Sequence, residues 1–146
     1  MEQATIVVVD DTDCVREVVE SMLDRKGHTM YSFADPADAL IASKNIRVDL
    51  FLIDVLMPKM SGLELLERLN VQENTFEAIM ITGKKDKAEA AEAMRLGAYG
   101  ILHKPFSYSE LLAFVDNALA SAAAKKQQAA KLLDQSGASS VTAAHL

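Results

Sequence analysis

The sequence predicts an α/β protein built on a doubly wound, five-stranded parallel sheet flanked by five helices, with an extended C-terminal helix. Three observations carry that prediction. Residues 5–9, 48–53 and 78–81 are almost unbroken runs of β-branched and apolar residues, as expected of strands buried on both faces. Helix-period segments fall between them. Strand and helix signals alternate five times, a pattern that closes right-handed crossovers onto one sheet.

Each element has a local reason. The first strand covers Thr5-Ile6-Val7-Val8-Val9. Val15, Val18, Val19 and Met22 then recur at helical spacing, with Gly27 as a stop. Residues 28–33 and 99–102 are weaker strand candidates, expected towards the sheet edges. Asp35-Pro36 is a helix start, with an acceptor at the N-cap and Pro at the first helical position. Ser61 with Glu64, Asp86 with Glu89, and Ser107 with Glu110 each pair a capping acceptor with a Glu three residues on. Gly97 ends the fourth helix. The last helix runs from near Ser107 to about Gln135. At 1.5 Å per residue it is about 40 Å long, against about 17–20 Å for a typical strand. Its second half therefore projects past the sheet or packs on something else. The expected division is 1–121 for the folded domain, 122–135 for a helical extension or linker, and 136–146 for a flexible tail.

Composition narrows the function. The chain has 146 residues, half of them apolar, enough for one domain with a real core. Its net charge is −6, from 21 acids and 15 bases, which disfavours direct nucleic-acid binding by this domain. The single cysteine, Cys14, excludes an intrachain disulfide and fits a reducing compartment. It reads as a small apolar residue packed in a helix. The start Met1-Glu2-Gln3 lacks the features of a signal peptide, and no apolar run reaches membrane-spanning length. A cytoplasmic location with no membrane partner is the expectation.

The chemistry lies at the strand ends. Ligands of open parallel sheets bind outside the carboxyl ends of the strands, where strand order reverses. The first strand ends in Asp10-Asp11, the third in Asp54, the fourth in Thr82 and the fifth in His103-Lys104. Taken singly, each is ordinary: a strand-end acid caps a helix, a Thr sits in a turn, a Lys is solvated. Together they bring three carboxylates to one edge, which is costly unless a cation sits among them. Oxygen ligands favour a hard ion, Mg²⁺ first, with Mn²⁺ as a substitute. A hydroxyl and an ammonium opposite the ion complete a cradle suited to phosphoryl transfer.

Those residues give the chain a family resemblance. Val9-Asp10-Asp11, the run from Asp54 through Pro58 to Gly62, Ile81-Thr82-Gly83 and Lys104-Pro105-Phe106 resemble the receiver domain of two-component response regulators. The likeness covers roughly residues 4–120. It implies a flavodoxin-like strand order 2-1-3-4-5, with Asp54 as phosphoacceptor. Asp11, Asp54 and the backbone carbonyl of Leu56 would bind Mg²⁺ directly, and Asp10 mainly through water. Thr82 and Lys104 would hold phosphoryl oxygens, and a cis bond would precede Pro105. The implied donor is a sensor histidine kinase, a phosphotransfer protein or a small phosphodonor. The output partner is not named by the sequence. Such a domain promotes its own phosphorylation and dephosphorylation without being a multi-substrate enzyme. The chain departs from many members at Ile101, where they carry an aromatic switch residue, and at Leu56, which is often polar.

Other classes fit less well. A flavodoxin-type electron carrier needs a Ser/Thr/Gly phosphate loop after the first strand, where this chain has Asp10-Asp11-Thr12-Asp13. A haloacid-dehalogenase-type phosphatase would place its nucleophile there in an Asp-x-Asp-x-Thr arrangement, which is absent. A partner-binding pseudo-receiver is disfavoured by the intact set of five polar residues. The late apolar positions Ala129, Leu132 and Leu133 of the last helix suggest weak homodimerisation or a linker role.

Overall fold

The computed structural model describes residues 3–72 and 75–145. Its elements follow the expected alternation. They are β1 (Thr5–Val9), α1 (Asp13–Asp24), β2 (Thr29–Phe33), α2 (Pro36–Ser43), β3 (Leu50–Asp54), α3 (Gly62–Val71), β4 (Glu77–Thr82), α4 (Lys87–Arg95), β5 (Gly100–His103) and α5 (Tyr108–His145). All strand pairs are parallel, in the order β2-β1-β3-β4-β5, so the two weak strands form the edges as expected.

The sheet separates two apolar layers, because alternate strand residues point to opposite faces. Val7, Val9, Phe51, Ile53 and Met80 pack with Leu65, Leu66 and Leu69 of α3 and with Ala39 and Ala93 of α2 and α4. Ile6, Val8, Leu50, Leu52, Ile79 and Leu102 face Val19 and Leu23 of α1 and Leu111, Val115 and Ala118 of α5. The central strands β3 and β4 are buried at every position.

The caps form as their residue types dictate. Asp35 accepts from the Ala37 amide, Ser61 from the Glu64 amide, and Asp86 from the Ala88 and Glu89 amides. Ser107 and Glu110 exchange both bonds of a full capping box, at 3.1 and 3.2 Å. Gly27 and Gly97, with φ of 79° and 89°, follow α1 and α4 in the left-handed conformation that glycine tolerates best.

Two expectations for α1 need correction. Its buried stripe runs through Val19 and Leu23, while Val18 is 44% exposed. Val18 lies one residue, or about 100°, off that stripe. Cys14 is exposed, because the first turn of α1 presents it to the side away from the core.

Helix α5 also differs from its expected extent. It continues to His145, so 136–145 has helical backbone where a separate tail was expected; Leu146 lies outside the described residues. No proline interrupts the stretch, and one interior glycine costs about 1 kcal/mol, too little to stop an established helix. Before it leaves the sheet, the extension is fastened to the amino ends of β3 and β4. Lys125 Nζ lies 3.0 Å from Oε1 of Glu77, which also accepts from the Ser121 hydroxyl. Lys126 Nζ lies 2.5 Å from Oδ1 of Asp49, whose other oxygen accepts the Thr5 amide. Glu77 is only 3% exposed, so these partners take the place of the water its carboxylate has lost.

A chain ending at Ala124 loses both lysines and leaves the Glu77 and Asp49 carboxylates without them. We expect it to be less stable than the full chain by about 2 kcal/mol in urea unfolding. Equal midpoints and slopes would show that the lysines hold nothing.

Candidate phosphoryl-transfer and metal site

Sheet order builds the site. The chain leaves β1 for β2 on one side and returns to β3 on the other, so the crossovers diverge between β1 and β3. Val9 pairs with Ile53, which sets Asp10 and Asp54 side by side just beyond. Asp11 follows in the β1–α1 loop. Carboxylate oxygens of Asp10, Asp11 and Asp54 all lie within 4.8 Å of one another. Asp10 and Asp54 are 1% and 6% exposed, whereas Asp11 is open to solvent.

Countercharge comes from β5. Lys104 Nζ lies 3.3 Å from Asp10 Oδ2 and 3.8 Å from Asp54 Oδ2. Its amide donates to the Thr82 carbonyl, tying the end of β5 to the end of β4. The Lys104–Pro105 peptide is cis. Thr82 is buried, and its Oγ1 accepts the Lys84 amide at 3.1 Å, leaving the hydroxyl proton free to donate elsewhere. His103 is exposed and stands apart from the cluster.

Hydrogen bonds order the carboxylates. Asp10 Oδ1 accepts from the Thr12 amide at 2.9 Å, and Asp54 Oδ1 from the Leu56 amide at 3.3 Å. One ammonium and a few amides do not balance three clustered acids. The Asp54 carboxyl is accordingly pushed up to about 6, by burial first and then by the Asp10 charge, with Lys104 opposing. An all-oxygen, under-neutralised donor set fits a hard divalent cation such as Mg²⁺, through Asp10, Asp11 and Asp54.

The loop after β3 is shaped by two residues whose roles the sequence left unassigned. Lys59 takes a positive φ of 72°. Gly62 returns the chain so closely that a Cβ there would sit 2.2 Å from the Asp54 carbonyl oxygen and 2.9 Å from an Ile53 methyl. Its amide donates to the Val55 carbonyl at 2.9 Å. Only glycine permits this approach, which holds the backbone behind Asp54. Leu56 is exposed at the rim. Ile101 is half-buried beneath the α4 layer, and Tyr99 packs with the α1–α5 layer. Arg16 was also missed. On a helix face it looks like an ordinary surface charge, yet its guanidinium donates to the Asp10 carbonyl at 2.6 Å.

The chain has known relatives. Residues 6–116 match the response regulator receiver domain family. The chain belongs to that family. It is 35% identical over 128 residues to the transcriptional regulatory protein FixJ of Bradyrhizobium diazoefficiens, covering 86% of this chain and 62% of FixJ. It is 34% identical to the DNA-binding transcriptional regulator NtrC of Proteus hauseri, covering 87% of this chain and 27% of NtrC. Among solved structures, the chemotaxis protein CheY4 of Vibrio cholerae superposes with a TM-score of 0.74 at 29% identity, covering 80% of this chain and 99% of CheY4. The chain thus spans between about a quarter and three fifths of these two curated regulators. It is a receiver domain of two-component signalling, a class of signalling domain distinct from ordinary enzymes. Among the described residues no helix is long and apolar enough to cross a membrane.

The raised Asp54 pKa sets a pH dependence. Asp54 takes its proton more readily in the fold than in the unfolded chain. Its ionisation therefore lowers stability as pH rises from about 3.8 to about 6, and the penalty is complete above that. Without divalent ions, Asp54→Asn should be more stable than wild type at pH 8 by about 2 kcal/mol, with the gain vanishing near pH 4. Urea unfolding in EDTA across that range measures it.

Proposed function

We propose that Asp54 accepts a phosphoryl group from a phosphohistidine on a sensor kinase or phosphotransfer protein, in a Mg²⁺-dependent reaction that switches partner binding. The observation that carries this is the convergence of Asp10, Asp11 and Asp54 on one small volume, with Lys104 reaching two of them.

An Asp54 carboxylate oxygen attacks phosphorus as the bond from phosphorus to the imidazole nitrogen breaks, and the electron pair leaves with the imidazole. Asp54 must be ionised to do so, and a pKa of about 6 leaves it ionised at neutral pH yet poorly stabilised by its surroundings. A bound Mg²⁺, held by Asp11, Asp54 and the Leu56 carbonyl and through water by Asp10, would supply charge neutralisation to the phosphoryl oxygens. Lys104 supplies a second cation on the other flank, and the Thr82 hydroxyl a hydrogen-bond donor. Gly62 and the Leu56 amide fix the direction of the nucleophile.

The kinase partner is supported by an apolar pocket of about 260 Å³ that opens beside Lys104. Val15, Val18 and Met22 of α1 line it, with Pro105 and Phe106 opposite. Small phosphodonors such as acetyl phosphate would reach the same carboxylate directly. The phosphoryl-accepting unit is residues 1–121, acting in the cytoplasm without contacting nucleic acid or membrane itself. The extension 122–135 serves as a linker or weak self-association surface, on which Leu132 and Leu133 are exposed.

Acetyl phosphate with Mg²⁺ should add one phosphoryl group to the wild-type protein and none to Asp54→Ala, read by intact mass. Equal labelling of both would reject Asp54 as acceptor. Mg²⁺ should also raise the melting temperature, because it relieves the repulsion among the three acids. At a hundredfold excess over its dissociation constant the gain is about 2.7 kcal/mol. Asp11→Ala should lose that gain, and melting indifferent to millimolar Mg²⁺ would contradict the metal assignment.

A further inference from the structure

Arg16 lies in the second turn of α1, six residues past Asp10. Its side chain is only 15% exposed, so the guanidinium has left water for specific partners. One terminal nitrogen donates to the Asp10 carbonyl at 2.6 Å, and the other pairs with the exposed Asp13 carboxylate at the start of α1. The two bonds span the segment 10–13, which carries Asp10 and Asp11. The Thr12 amide, inside that span, donates to Asp10 Oδ1.

The choice of acceptor matters. An arginine at the Asp10 main chain could instead pair with a carboxylate of the cluster and occupy a metal-binding oxygen. Here its donors go to a main-chain carbonyl and to Asp13, which is outside the cluster whose oxygens lie within 4.8 Å. Arg16 thus takes up none of the carboxylate oxygens of the cluster. A planar fork can hold two acceptors at fixed separation, which a lysine ammonium does less well. Lys104 has the opposite arrangement, touching Asp10 and Asp54 directly.

We infer that Arg16 is a positioning residue for the metal site: by clamping the Asp10 carbonyl to the first turn of α1 it fixes the loop that aims Asp10 and Asp11. This rests on the proposed Mg²⁺-dependent reading of the site. Partners that orient metal ligands from behind typically contribute 10–100-fold in affinity.

The test is the Mg²⁺ dissociation constant of the full chain by titration calorimetry, beside amide hydrogen exchange at Thr12 in the metal-free protein. Arg16→Met should weaken Mg²⁺ about tenfold and speed exchange at Thr12, with the β3 and β4 amides unchanged. Arg16→Gln, too short to bridge both acceptors, carries the same expectation should the Met variant not fold. Arg16→Lys should recover part of the affinity; a Lys variant as weak as Met would overturn the assignment to this hydrogen bond. Wild-type affinity and wild-type Thr12 exchange in Arg16→Met would also overturn it. Absence of Mg²⁺ binding by the wild-type chain would instead reject the underlying reading of the acids, so the two failures are distinguishable.

Discussion

Like charges held together are the constraint on which this molecule turns. Three carboxylates share a space less than 5 Å across, two of them almost sealed from water, and a single lysine offsets them. Nothing in local propensity favours that arrangement. It persists because the strands that carry the acids are held by apolar layers on both faces, and the burial of β3 and β4 outweighs the repulsion at their ends. The stored repulsion is also what makes the site responsive. Asp54 sits at an elevated pKa, and any cation entering there gains from what the fold has already concentrated.

The surroundings serve that cluster by keeping the acids aimed without quenching them. The Thr12 and Leu56 amides each engage one carboxylate oxygen, and the other oxygen of each acid faces Lys104. Gly62 brings the start of α3 against the Asp54 backbone at a distance no other residue allows. Arg16 grips a carbonyl in place of a carboxylate. Main-chain groups and their partners do the orienting, while Lys104 supplies the countercharge at the carboxylate oxygens.

The opposite edge of the sheet solves a different problem. Glu77 begins β4 in a nearly dry position, and Asp49 precedes β3. Both acids are neutralised by α5 through Lys125 and Lys126, which joins the root of the long helix to the two central strands. These strands end at Asp54 and Thr82, so the helix that leaves the domain is fastened to the elements that carry the site.

The sequence by itself determined the class of fold and marked polar residues that meet at the carboxyl ends of the strands. Buried parallel strands must be apolar throughout, helix starts need acceptors, and acids at strand ends fall on one edge of any doubly wound sheet; those are rules of spacing that one chain displays. The ten elements, most of the helix caps and the convergence of Asp10, Asp11, Asp54 and Lys104 were legible for that reason, and the family resemblance added strand order. What the tertiary structure alone decided depends on partners far apart in sequence or on angles of a few tens of degrees. Val18 turned outward because helix rotation is set by what α1 packs against. Cys14 reached solvent for the same reason. The pairing of Lys125 with Glu77, 48 residues away, and the close backbone approach at Gly62 have no signature in local pattern. Arg16 reads as one more charge on a helix until its carbonyl partner is seen, because periodicity records which face a residue takes and never which atom it meets.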